Sequence, residues 1–280
     1  MTPTTTTTTN TNTVFQKAPF RVLATLLLIE GVMIGQVLSR PAAAQTGAAK
    51  TGAAKTGAAQ DCNKISDQVQ RTACWLKKIK AGEKYLVGAD LRGVKLNEVG
   101  GREAGLKYRN LQQADLRMAY LNGVNLTEAN LTGADLSGAD LTGANLLRAD
   151  LAGAKLTKAN LEGANLSGTK LTKANLEGAN LNYSVLTKAD LSGADLTKAR
   201  MNEVDLTGAN LTDAKLQQAD LRGANLTKAK LAMVNLTGAD LRGANLEWAD
   251  IRYTRSADLT GVKTDKYTKG NFIVLFNNIK

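Results

Sequence analysis

An Asp or Asn recurs every fifth residue through most of this chain, as in ANLTGADLSGADLTGANL from Ala129 to Leu146. Positioned carboxylates are common tools of acid–base catalysis, so this array is the first place to look for chemistry. Its regularity argues against that use. Each carboxylate is fixed by the repeat and none is singled out, so no catalytic residue is expected. There is no His in the 280 residues, which removes imidazole acid–base chemistry, the Ser–His–Asp arrangement and His metal ligands together. No Gly-rich phosphate loop and no metal-ligand spacing occurs, so neither cofactor nor metal is expected. Triplets such as Asn130–Thr132 match a glycosylation acceptor, but they are by-products of the repeat. The two cysteines, Cys62 and Cys74, read as a disulfide in an oxidising compartment. Twelve residues of unbroken helix would hold their Cα atoms about 18 Å apart. A bridge therefore needs a break near Arg71 and Thr72, and both the bridged and the free state stay open.

The elements that present these residues have an unusual composition. The apolar fraction is mostly Ala and Leu with few aromatics, which suits a thin, uniformly packed core. The formal charge is +11, but it is unevenly placed. Residues 1–83 carry 10 Lys and Arg against 4 Asp and Glu, residues 84–254 carry 21 against 19, and residues 255–280 carry 5 against 2. The body of the chain is close to neutral, so no nucleic-acid footprint is expected on it.

The first thirteen residues are low-complexity and polar. Lys17 and Arg21 then precede an apolar run from Val22 to Leu38, followed by RPAAAQ. This order reads as a secretory signal peptide over residues 1–44, cleaved after Ala44. Glu30 inside the run and the long leading tail keep a retained membrane anchor open as the alternative. A mid-membrane carboxylate costs about 2.5–3.5 kcal/mol on insertion scales. Residues 45–60, with TGAAK repeats, read as a low-complexity linker. In residues 61–83, Ile65, Val69, Ala73, Leu76 and Ile79 fall on one helical face, which predicts an amphipathic helical cap. Lys77, Lys78 and Lys80 suit its C-terminal turn.

From Leu86 to Ile251, 34 consecutive pentads keep one register, with Leu replaced only at Gly101, Met201 and Ile251. In a helix, a step of five residues smears the Leu positions around the axis. In a straight strand it alternates them between faces. Within a pentad, however, Ala and Leu are two apart and share a strand face, while the Asp or Asn between them points outward. The next two residues, often Thr-Gly or Ser-Gly, have turn chemistry. Each pentad is therefore expected to be a short extended piece and a corner, stacked into a solenoid with coils about 4.8 Å apart. Leu131, Leu151, Leu171, Leu191 and Leu211 exemplify its core ladder.

The units ADLSG, ANLTG and ADLTG resemble the A-(D/N)-L-x-x repeat of pentapeptide repeat proteins. The resemblance implies an all-β fold, a right-handed quadrilateral β-helix of four pentads per coil over residues 84–254, about 8.5 coils here. The departure LNEVGGREAGLKYRNL, with Gly101 at a Leu position, is expected to bulge, lose a core contact or soften the first coil. Residues 255–280 are expected to cap the open end, with Phe272, Ile273, Val274, Leu275 and Phe276 as a plug or a dimer interface. Columns twenty residues apart align Thr127, Leu147, Ser167, Thr187, Thr207 and Thr227 on one side, and a corner of Gly123, Gly143, Gly163, Gly223 and Gly243, broken by Tyr183 and Glu203, on another.

The functional expectation is a non-enzymatic exported scaffold or protein-interaction module, monomeric or homodimeric, in a periplasm or thylakoid lumen. The family's cyanobacterial members motivate both locations. It would touch a membrane only through an uncleaved N-terminal segment. Two other roles are weighed. A DNA-mimicking topoisomerase binder, known in the family, needs a strongly negative rod. An ice-binding solenoid needs a denser Thr ladder than this one.

Overall fold

The computed structural model describes residues 62–97 and 105–254. The signal peptide and linker readings of residues 1–60, the position Gly101, and the C-terminal cap with Phe272, Ile273, Val274, Leu275 and Phe276 lie outside the described residues.

From Asn110 onward the chain winds with a repeat of twenty residues. Asn110 pairs in parallel with Asn130, Asp115 with Asp135, Tyr120 with Asp140 and Asn125 with Asn145. The pattern continues to Lys230 and Asp250. Four pentads thus make one four-sided coil. The residue between the two inward positions of each pentad, most often Asp or Asn, is the bridging residue. The extended part is only three residues long, because a turn follows each Leu.

The backbone of one pentad shows how the sequence sets this geometry. Leu111 N–H donates to the Asn130 carbonyl one coil on, at 2.7 Å, and Asn130 N–H donates back to the Arg109 carbonyl, at 2.9 Å. Ala114 N–H donates to the Leu111 carbonyl at 3.0 Å and closes the corner. The second corner residue sits at positive φ, +56° for Gln113 and +61° for Gly143. This is the requirement of a type II turn and explains why Gly is frequent there. The Asp or Asn side chain fixes the same corner from outside. Asn130 Oδ1 accepts the Thr132 N–H at 3.0 Å and the Thr132 hydroxyl at 2.7 Å. The triplet Asn-Leu-Thr is therefore a self-bonded corner.

Leu and Ala point inward throughout. Leu131, Leu151, Leu171, Leu191 and Leu211 are all fully buried. Where Thr169 and Ser184 replace Ala, their hydroxyls donate to the Leu166 and Leu181 carbonyls at 2.8 and 2.6 Å. That satisfies the buried polar atom within the turn.

The first coil differs. Tyr85 pairs with Asn110, Asp90 with Asp115 and Lys95 with Tyr120, so this coil takes twenty-five residues. The expected irregularity around Gly101 is thus seen in the ladder as one pentad beyond the four that a coil uses. It corrects the uniform count of about 8.5 coils. An insertion of five keeps the sequence in phase while shifting the stacking.

Below this coil lies one helix, α1 (Gln68–Lys80), whose N-cap Asp67 side chain accepts the Gln70 N–H at 2.8 Å. Two sequence expectations are corrected here. The chain breaks at residues 65–67, before α1, and not near Arg71 and Thr72. Because Cys62 precedes this break, Cys62 and Cys74 come within 5.7 Å at Cα and form a disulfide. The inward face of α1 matches the apolar spacing only in part: Ile79 is buried and Leu76 packs against the core as expected, but Val69 and Ala73 do not. Trp75 and Ile79 are buried, whereas Val69 is 76% exposed and Ala73 also faces solvent. A single Trp, four residues before Ile79, outweighs several smaller apolar side chains in buried area.

Candidate functional site

The interior is filled with Leu and Ala, so the outward columns are where function can reside. Each face carries three columns: the bridging residue and the two corner residues. Side chains of successive coils stack along them.

Charge is organised by a local rule. In Asp-Leu-Arg triplets the Arg folds back on the Asp two residues earlier. Arg222 Nε and Nη2 donate to Asp220 at 2.8 and 2.7 Å, and Arg242 Nη2 to Asp240 at 2.6 Å. This hydrogen bond from Arg242 holds the Asp240 carboxyl down at about 2. Lys residues instead meet the carboxylate one coil below: Lys215 Nζ lies 3.3 Å from Asp195 and Lys170 Nζ 3.6 Å from Asp150. Such exposed pairs contribute little to stability. They neutralise the surface locally.

The most enclosed polar cluster joins α1 to the first coil. Asp90 accepts from both Arg92 Nε and Nη2, at 2.9 and 2.8 Å, and pairs with Arg71. Gln68 lies at its edge. The hydrogen bond from the Arg92 side chain holds the Asp90 carboxyl well below the usual carboxylate range, against the opposing effect of burial. Beside it, Asn63 Oδ1 accepts from Trp75 Nε1 at 3.0 Å while Asn63 Nδ2 donates to the Gly88 carbonyl at 2.7 Å. The cluster is a structural clamp in which Arg71, Gln68 and Asn63 tie the cap to the coil, while Arg92 also reaches Asp115 one coil on, at 3.5 Å.

The fourth face, which begins at Asn125, is different. Its bridging column reads Asn125, Asn145, Asn165, Val185, Asp205, Asn225, Asn245, and the next column reads Thr127, Leu147, Ser167, Thr187, Thr207, Thr227. From Asn125 to Thr187 neither of these two columns carries a charge, whereas the third column of the face does, with Glu128, Arg148 and Lys188; Arg148 lies 3.9 Å from Glu128. The hydroxyls are committed: Thr127, Thr207 and Thr227 donate to Oδ1 of Asn125, Asp205 and Asn225, at 2.6, 2.6 and 2.7 Å. The adjoining corner runs Gly123, Gly143, Gly163 and then Tyr183. Tyr183 is 56% exposed and the neighbouring Val185 37% exposed. Both stand where the repeat ordinarily places Gly and Asp or Asn. Sequence reasoning placed Tyr183 in the Gly column but missed Val185, although the triplet Tyr-Ser-Val is a visible break in the repeat.

Among the described residues, no group of three or more His, Cys, Asp or Glu side chains could hold a metal ion, and no helix is long and apolar enough to cross a membrane.

A family model for pentapeptide repeats matches the chain in eight copies, over residues 110–146, 144–182, 184–223 and 219–261. No curated protein matches the sequence. Among solved structures, the chain is similar to HetL of the cyanobacterium Nostoc sp. strain PCC 7120, a pentapeptide repeat protein involved in heterocyst differentiation regulation. The two are 34% identical with a TM-score of 0.57, over 71% of this chain and 94% of HetL. A pentapeptide repeat protein of the Arabidopsis thaliana thylakoid lumen is also 34% identical, over 36% of this chain and 73% of that one, with a TM-score of 0.29. Rfr23 from the cyanobacterium Cyanothece 51142 is 29% identical over 70% of this chain and 97% of its own, with a TM-score of 0.18.

Proposed function

Because this chain belongs to the pentapeptide repeat family, we propose that it is an exported, non-enzymatic interaction module with right-handed coils. Its place is a bacterial periplasm or a thylakoid lumen, and it offers its partner a flat neutral face. The observation that carries this reading is the fourth face. Two of its three columns are uncharged from Asn125 to Thr187, and they are interrupted by an exposed Tyr183 and Val185, with Leu147 two coils below the Val185 coil. Exposed aromatic side chains on a flat, rigid surface are the usual anchors of protein partners.

Export is supported by the basic, apolar and small-residue order of residues 17–44 and by the Cys62–Cys74 pair, since disulfides persist in oxidising compartments. A topoisomerase-binding role is disfavoured by the near-neutral charge of residues 84–254. An ice-binding role is disfavoured by the ladder hydroxyls, which are already donated to neighbouring side chains: Thr127, Ser167, Thr207 and Thr227 within their own pentads and Thr187 to Ser167.

The test is in-cell photocrosslinking with benzoylphenylalanine in place of Tyr183 on the neutral face or Lys198 on another side. The reading expects one discrete protein adduct from position 183 and none from 198. Adducts of equal yield from both positions, or from neither, would refute it.

A further inference from the structure

The end of the solenoid carrying α1 differs from the rest of it in charge and in side-chain type. Residues 62–128 hold 12 Lys and Arg against 7 Asp and Glu, whereas residues 129–254 hold 14 of each. The basic excess within residues 62–254 therefore lies in the cap and the first two coils.

At the same end three Tyr residues each have a Lys over the ring. Lys84 lies 6.0 Å from the Tyr85 ring, Lys95 6.0 Å from Tyr120 and Lys107 4.7 Å from Tyr108. These pairs stand on three different faces of the two lowest coils. Tyr108 and Tyr120 are about half exposed, and Met118, next but one to Tyr120, is 65% exposed.

The cap itself points a mixed face outward. α1 binds the coil through Trp75, Ile79 and Arg71, so its opposite side faces away from the solenoid. That side carries exposed Val69 and Ala73 with exposed Lys77 and Lys80. Among the described residues, none covers Val69.

We propose that this end of the solenoid docks onto an anionic lipid surface, with the outer face of α1 against the headgroups and the Tyr–Lys pairs around it. Tyr is favoured at the boundary between water and hydrocarbon, where its ring is half solvated. Lys beside it lays its stem on apolar surface and holds its charge at the headgroups. Each Lys near an anionic leaflet adds electrostatic attraction, and the apolar residues of an interfacial helix add to this. The inference stands apart from the proposed neutral-face partner and does not require the N-terminal apolar run to be retained.

The test uses the full chain with vesicles of equal parts phosphatidylglycerol and phosphatidylcholine, and with phosphatidylcholine alone. Three forms are compared: wild type, Lys77→Glu with Lys80→Glu, and Lys158→Glu with Lys198→Glu. The last carries the same charge change on the neutral part of the solenoid. Circular dichroism melts check that all three are folded. The expected result is that wild type and the Lys158/Lys198 variant bind the anionic vesicles and release in high salt. The Lys77/Lys80 variant should bind them about tenfold or more weakly. Any attachment by the apolar N-terminal run would appear equally in all three forms, on both vesicle types and in high salt. Equal loss in both variants, or no preference of wild type for anionic vesicles, would overturn the proposal. So would binding to soluble polyglutamate, lost on Lys77/Lys80 substitution, with the vesicles ignored, since that would assign this end to an acidic protein.

Discussion

At the residue scale, Leu, Ala and the second corner position each have a separate physical duty, and each predicts a different cost. Leu151 is fully buried, so Leu151→Ala should cost about 2–5 kcal/mol through the cavity it leaves. Ala164→Leu should cost about 1–3 kcal/mol, because extra volume would force apart coils held by backbone hydrogen bonds. Glu177→Gln, exposed, should stay within about 0.5 kcal/mol. Denaturant melts of the three variants check this, and equal effects would contradict the inward assignment. The corner gives a second test. Lys158 holds φ +56° and Gly143 φ +61°. Relieving the first with Lys158→Gly should be neutral or gain up to about 1 kcal/mol, because the left-handed strain roughly offsets the backbone entropy of Gly. Imposing a β-branched side chain with Gly143→Val should cost about 1–3 kcal/mol. Opposite signs in thermal melts would contradict the turn assignment. Ala, Leu and Gly roles were legible in the sequence because each follows directly from the two-residue strand period and the turn. The backfolding of Arg onto Asp in Asp-Leu-Arg is equally local, and reading ADLR as a unit would have found it.

At the element scale, the cap is held by the Asp90 clamp and by the disulfide. Asp90 titrates well below its ordinary value in the folded chain. Its contribution is therefore complete above about pH 4 and is lost as pH falls from there toward the folded value. Acid titration followed by Trp75 fluorescence should show the cap loosening only below about pH 4, with the ladder persisting further. Asp90→Asn should cost about 2 kcal/mol at neutral pH, the value of hydrogen bonds to a charged group, and should flatten that acid response. A cap transition unchanged by Asp90→Asn would show that another group carries it. The helical cap and a Cys62–Cys74 bridge were within reach of the sequence, but the Asp90 clamp was not. Asp90 looks like any other repeat Asp, and its partner Arg71 lies nineteen residues away across a chain reversal. The inward face of α1 was legible only in part for a related reason: Leu76 and Ile79 pack inward as their spacing suggests, but Trp75 lies beside that stripe and only contact with the coil decides that it is covered while Val69 and Ala73 are not. The extra pentad in the first coil was half legible. Gly101 marked the place, but an insertion of one full period is invisible to a test of period.

At the scale of the whole molecule, a solenoid must protect its open ends. At the start, α1 does so. At the other end, Phe272–Phe276 stand at the right distance in sequence to cover the last coil. Removing residues 271–280 should expose strand edges and cause end-to-end association. Sedimentation of the two forms checks this. A dimer that becomes a stable monomer on truncation would make the segment an interface, and two identical monomers would make it a loose tail.

The central claim is that this is a repeat protein working outside the cytoplasm. The most direct measurement is the intact mass of the chain recovered from fractionated cells, before and after thiol alkylation. The account predicts an extracytoplasmic chain beginning at Gln45, in which Cys62 and Cys74 take up alkylating reagent only after reduction. A chain recovered from the cytoplasm, beginning at Met1 and alkylated at both cysteines without reduction, would contradict it.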